Sequence, residues 1–149
     1  MQGGRQPQTT FVTRLQLVAF VASLAGAAIS IYLTVVHYAG LPLACPSTAQ
    51  ISCEAVLSSR YAVLAGTSIP TSAAGIVWFA VSAVLWTRRP SWLHMAWSAA
   101  GLLAVLTLVF IEIVVLGAIC AWCTAAHVLV VAIAVVALSR PPAAREVLR

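Results

Sequence analysis

Four nearly uninterrupted apolar runs dominate the sequence, at residues 15–38, 69–86, 93–117 and 119–138. The hydrocarbon core of a bilayer takes about 20 apolar residues in a helix. Inside it every backbone N–H and C=O must find a partner within the protein, and a helix supplies one within its own segment. Each run therefore predicts a transmembrane helix, and the chain predicts an all-α integral membrane protein, a four-transmembrane-helix bundle. Composition agrees, since 62% of the 149 residues are hydrophobic and 7% charged, which leaves too little polar surface for a soluble domain. The third and fourth runs almost touch, so they predict a tight antiparallel hairpin that turns just before or at Cys120.

Arginine placement orients the bundle, because basic residues near span ends favour the cytoplasmic side. Arg5, Arg14, Arg88, Arg89, Arg140, Arg145 and Arg149 fall on one side, and Arg60 alone falls on the other, within the long connection 39–68. The expected organisation is a cytoplasmic N-terminal tail (1–14), a membrane domain (15–140) and a cytoplasmic C-terminal tail (141–149). The net charge of +5 is then a topology signal, and nothing supports nucleic-acid binding. The first run is too long for a cleaved secretory signal, and LPLAC before Cys45 carries Pro42 where a lipoprotein signal wants a branched aliphatic residue. The polar opening MQGGRQPQTT is expected to be disordered.

This topology puts all four cysteines, Cys45, Cys53, Cys120 and Cys123, on or near the outer face, where an oxidising compartment makes thiols pair or exchange. Cys45 and Cys53 sit in a loop with Pro46, Ser47, Thr48 and Ser52 between them, a segment suited to swinging between an outside protein and the membrane. Exchange runs through mixed disulfides and needs one such accessible pair. Cys120 and Cys123, at i and i+3 where the fourth helix begins, share a face, and the free N–H groups there favour a thiolate. Beside hydrocarbon, that thiolate can meet a lipid-soluble electron acceptor. Two other readings compete: small residues packed in a bundle, and a thiolate metal site or metal carrier. The loop spacing is wider than zinc knuckles use, and two pairs on one side exceed what packing requires.

Two ionisable residues lie near the inner pair. His127 follows Cys123 by four residues and Cys120 by seven, on the same helical stripe, and an imidazole can donate or accept a proton near neutral pH. Packing between helices against a backbone partner is the plainer role. Glu112 is the one acid inside a predicted span, where ionisable groups are costly and functional by default. It is suited to relaying protons or to reaching the outer headgroups. His37 and Tyr38 read as interface anchors. Ser52–Ser59 predicts a short half-helix with Ala55, Val56 and Leu57 turned toward the membrane, and the second span is expected to begin near Ser68, with Pro70 in its first turn.

Three features together resemble the vitamin K epoxide reductase family over residues 15–140: C-x7-C (Cys45, Cys53), the stretch VLSSRYAVLAG-x-x-IP after it, and CAWC at Cys120–Cys123. Bacterial members are membrane oxidases for disulfide formation, and the family fold is four helices around a quinone. The resemblance implies that Cys45 exchanges with a substrate protein, that Cys53 shuttles to Cys120, and that Cys123 faces the quinone, menaquinone or ubiquinone. It puts Ser59 near the quinone site and aligns His127 with a tyrosine of animal members that contacts the quinone-like substrate. Thr71 stands where animal members carry an asparagine, and the resemblance implies that Thr71 and Glu112 also border the quinone. Since the chain ends soon after Leu138, the extracytoplasmic thioredoxin-fold partner is expected to be a separate protein. The expected location is the bacterial inner membrane, with both termini cytoplasmic.

Overall fold

The structure, a computed structural model, describes residues 6–46, 48 and 50–139. Within them the chain forms α1 (Gln6–Ala39), a short α2 (Cys53–Leu57), α3 (Thr71–Trp86), α4 (Trp92–Phe110), a π-helical turn continuing it (Ile111–Leu116), and α5 (Ala121–Leu138). Among the described residues there is no strand, and the extended backbone makes two isolated bridges, Ile51 with Ile119 and Val63 with Pro70. Arg5, Arg140, Arg145 and Arg149, expected on the cytoplasmic side, lie outside the described residues, as does the C-terminal tail 141–149.

Three helical stretches are long and apolar enough to cross a membrane: Arg14–Ala39, Trp92–Leu116 and Ala121–Leu138. The second expected span is the shorter apolar helix α3, with 16 residues, about 24 Å at the helical rise. It starts at Thr71, after the expected position, with Pro70 extended at its N-cap. The backbone before it is already committed to a turn, in which Leu64 N–H bonds to Ile69 O at 2.9 Å and Thr71 N–H to Ala62 O at 2.8 Å. Helix α1 in turn reaches back to Gln6, into residues expected to be disordered. Pro7 falls in its first turn, where the missing N–H is no loss.

Small residues let α1 and α3 approach closely. A Cβ on Gly26 would overlap the Phe79 ring, and one on Gly75 would stand 2.8 Å from Ser30 Oγ. Thr34 and Ser72 hydroxyls join the same helices at 2.8 Å, and at the opposite end Gln16 Nε2 donates to Trp86 O at 2.6 Å. Phe79, Trp86, Val105, Val130 and Ile133 form the core. Leu17, Leu103, Leu106, Val128 and Leu138 point outward and are exposed, an apolar girdle suited to lipid rather than water. His94 closes the α3–α4 turn: its Nδ1 accepts the Ser91 N–H at 3.1 Å, so Nε2 carries the proton and donates to Leu85 O at 2.9 Å.

Candidate redox site

Both cysteine pairs meet at one end of the helices, in different states. Cys45 and Cys53 form a disulfide with Cα atoms 6.2 Å apart, and Cys120 and Cys123 are free thiols. Cys45 is partly exposed, whereas Cys53 is 2% exposed and Cys120 fully buried. Ser52 caps α2, its Oγ accepting the Ala55 N–H at 3.3 Å, and so sets Cys53 at the first helical position.

Backbone pairing ties the loop to the inner pair. Ser52 N–H donates to Ile119 O at 3.1 Å, and Ile119 N–H to Gln50 O at 2.9 Å. The Ile51–Ile119 bridge is parallel, so the two segments leave it in the same direction, one toward Cys53 and the other toward Cys120. A second tie comes from Trp122, whose Nε1–H donates to Ala44 O at 2.8 Å. The segment expected to swing is docked at both ends in this structure.

The connection from α4 to α5 builds the inner pair. The π turn ends at Gly117, whose φ of 60° is the left-handed conformation that glycine adopts freely. Chain reversal there brings the Cys120 N–H within 3.3 Å of Glu112 Oε2. Glu112 is 6% exposed, turned into the site rather than out to the headgroups. Cys120 is the N-cap of α5, and its Sγ accepts the Cys123 N–H at 3.3 Å. Amide donors at a helix N-terminus favour a thiolate over a thiol.

Behind the inner pair lies a cavity of about 290 Å³ whose wall includes Cys123, His127, Glu112, Ser59 and Thr71. Every residue marked from the sequence as a cofactor contact therefore lines one space, and Cys120 does not reach its wall. Leu33, Trp78, Phe79, Leu108 and Val130 make it largely apolar, and Val56 and Leu57 of α2 border it. Ala55, expected to turn inward with them, is exposed. Two of the hydroxyls are spoken for as donors: Ser59 Oγ bonds to Val56 O at 2.7 Å and Thr71 Oγ1 to Tyr61 O at 3.2 Å. Each keeps a lone pair free to accept.

Sequence reasoning missed three wall residues, His37, Tyr61 and Trp78. His37 was read as an interface anchor; its neighbour Tyr38 is 65% exposed, as an anchor would be, but His37 faces the cavity. The signal was present as helical spacing, since Ser30, Leu33 and His37 share one stripe of α1, and Thr71, Gly75 and Trp78 one of α3. Trp78 Nε1 is buried without an acceptor among the described residues. Among those residues no three of His, Cys, Asp and Glu gather as a metal ligand set.

Comparison with known proteins gives one family. The sequence model of the Vitamin K epoxide reductase family matches residues 17–138. Among curated proteins nothing matches the chain.

Proposed function

The chain belongs to the vitamin K epoxide reductase family, and from that premise we propose that it is a membrane thiol oxidase. Membership makes it a membrane oxidoreductase of disulfide chemistry. In the proposed reaction it reoxidises a separate thioredoxin-like dithiol protein through Cys45–Cys53, relays the electrons to Cys120–Cys123 and passes them to a quinone. The observation that carries this reading is the backbone pairing of Gln50–Ser52 with Ile119, which brings a buried loop cysteine beside a buried helix-capping cysteine.

The steps balance as exchanges of sulfur partners. A thiolate of the donor protein attacks Cys45, the more exposed sulfur, and Cys53 leaves. The donor's second thiol then resolves the mixed disulfide, leaving the donor oxidised and the loop pair reduced. Cys53 next attacks Cys120 of an oxidised inner pair and Cys123 leaves as thiolate. Cys45 then attacks Cys53, restoring the loop disulfide and leaving Cys120 and Cys123 reduced. Loop disulfide plus inner thiols is the state of this structure. Reoxidation joins Cys120 to Cys123, with two electrons and two protons leaving through the cavity.

The residues present fit a quinone as acceptor. A flat apolar ring suits walls of Leu33, Phe79, Leu108 and Val130, with the Trp78 ring bordering the same space. A quinone, menaquinone or ubiquinone, would supply the two-electron, two-proton acceptor. Cys123 is the sulfur at the cavity wall, and Glu112, His127 and His37 are groups there able to hand over protons. The proposed setting is a bacterial inner membrane with α3 as a fourth, short crossing, which local thinning and flanking anchors accommodate. The cysteines then face outward, and Arg88 and Arg89, in the turn at the far end of α3, face the cytoplasm with both termini.

A redox titration of the purified chain tests this. Two two-electron steps, one per cysteine pair, support the relay. A metal retained in stoichiometric amount, with no such steps, would replace it by the metal-carrier alternative.

A further inference from the structure

The relay leaves Trp122 without a task, although this residue lies between the two inner cysteines and bonds across to the loop. Its Nε1–H donates to Ala44 O at 2.8 Å, and Ala44 immediately precedes Cys45. On the other side of the disulfide, Ser52 immediately precedes Cys53 and its N–H is bonded to Ile119 O at 3.1 Å. The two cysteines of the loop are thus each preceded by a residue fixed to the segment 119–122. The indole is itself held against the ring of Tyr32 on α1, centroids 5.1 Å apart and tilted by 55°, so its N–H has a set direction.

We propose that Trp122 is a positioning residue that keeps Cys45 beside Cys53 while the loop disulfide is open. The relay needs this at one moment. When Cys53 is bridged to Cys120, Cys45 is a free thiol on a chain that also has the donor protein to meet. A free end wanders, and its effective concentration at a given atom falls with the freedom of the segment. A hydrogen bond one residue away restrains that end without a covalent link. Because the bond is to a backbone carbonyl at the surface, it opens readily and leaves Cys45 accessible to the donor. This inference rests on the proposed relay and adds to it a control on where the mixed disulfide resolves.

A Cys123→Ala background isolates the step. There the Cys120 thiolate attacks Cys53, the Cys45–Cys53 bond breaks, the Cys53–Cys120 bond forms, and Cys45 leaves as thiolate and takes up the proton that Cys120 gave up. No oxidant is consumed, so the ratio of bridged to unbridged chain is an equilibrium. It is read by mass spectrometry of peptides after acid quenching and alkylation. Trp122→Phe keeps the ring against Tyr32 and removes the donor. With Cys45 less confined, the ratio of bridged to unbridged chain is expected to rise about two- to tenfold, the span a single net hydrogen bond allows. Tyr32→Leu, which frees the indole to turn away, is expected to move the ratio in the same direction by less, and serves if Trp122→Phe fails to fold. An unchanged ratio in Trp122→Phe, or in Tyr32→Leu where that variant stands in for it, overturns the inference.

A control separates this role from a general one. With Cys45 and Cys123 both replaced by Ala, a mild oxidant closes Cys53–Cys120 directly, and Trp122→Phe is expected to leave the rate of closure unchanged. A slower closure would mean that Trp122 holds Cys120 rather than Cys45, which also overturns the inference. Absence of any Cys53–Cys120 bridge in Cys123→Ala alone would remove the relay itself, a failure distinct from the other two.

Discussion

Cys123 stands at the cavity wall and Cys120 behind it, and this difference of one helical turn decides what each thiol can do. Cys123→Ala is expected to reduce quinone-coupled turnover to background while leaving the loop disulfide able to exchange. The mixed disulfide that accumulates should join Cys53 to Cys120; finding Cys45 linked to Cys120, with Cys53 free, would reverse the roles of the loop cysteines. Glu112→Gln should keep an oxygen for the Cys120 N–H and lose the proton. If Glu112 delivers protons, turnover falls about 10²- to 10⁴-fold and one limb of the pH–rate profile disappears, whereas an unchanged profile would make it a purely structural acceptor. Glu112 and the cysteines were legible because an acid in a span and thiols in pairs are chemically conspicuous. Trp78 and His37 were not, because an aromatic or a histidine on a helix reads equally well as core or anchor until the facing helices are known. Glu112's partner was hidden for another reason: a backbone N–H eight residues on is reached through a reversal, which no periodicity announces.

At the scale of elements, apolar length gave the helices but not their ends. The run 93–117 is uninterrupted in composition, yet the helix changes from α to π at Ile111, a change of hydrogen-bond partner that the side chains do not signal. Such turns recur at functional sites, and here it precedes the reversal that joins Glu112 to Cys120. Gly117 makes the reversal and provides a matched test with Gly40, since both have φ of 60° and open space where a Cβ would stand. Replacing either by Ala should cost about 1–2 kcal/mol of stability through left-handed strain, seen as a lower thermal midpoint. Only Gly117→Ala should also lower turnover, because it alone disturbs the Cys120 N–H. Equal activity losses in both variants would show that the turn acts through stability and not through the site. The start of α3 was misjudged because residues 62–70 spend their backbone groups on a local turn, and Pro70 then fits the N-cap as well as the first turn.

For the whole molecule, the proposed sulfur relay has one direction of electron flow, from outside protein to membrane. The arginine pattern is plain in the sequence, and the orientation it implies is part of the proposal; the docking of loop on hairpin was the least legible feature, because it is made by backbone groups that every residue has. Orientation is checked by a membrane-impermeant thiol reagent, which after reduction should label Cys45 in intact cells; labelling only after lysis would invert the bundle and remove the oxidising compartment from the argument. The flow itself is tested most directly by mixing the purified protein with a reduced thioredoxin-like protein and a quinone and counting both products. The proposed relay requires one quinone reduced for each disulfide formed, with no reduction when Cys53 or Cys120 is replaced by Ala. Disulfide formation without quinone reduction, or quinone reduction that persists in those two variants, would contradict it.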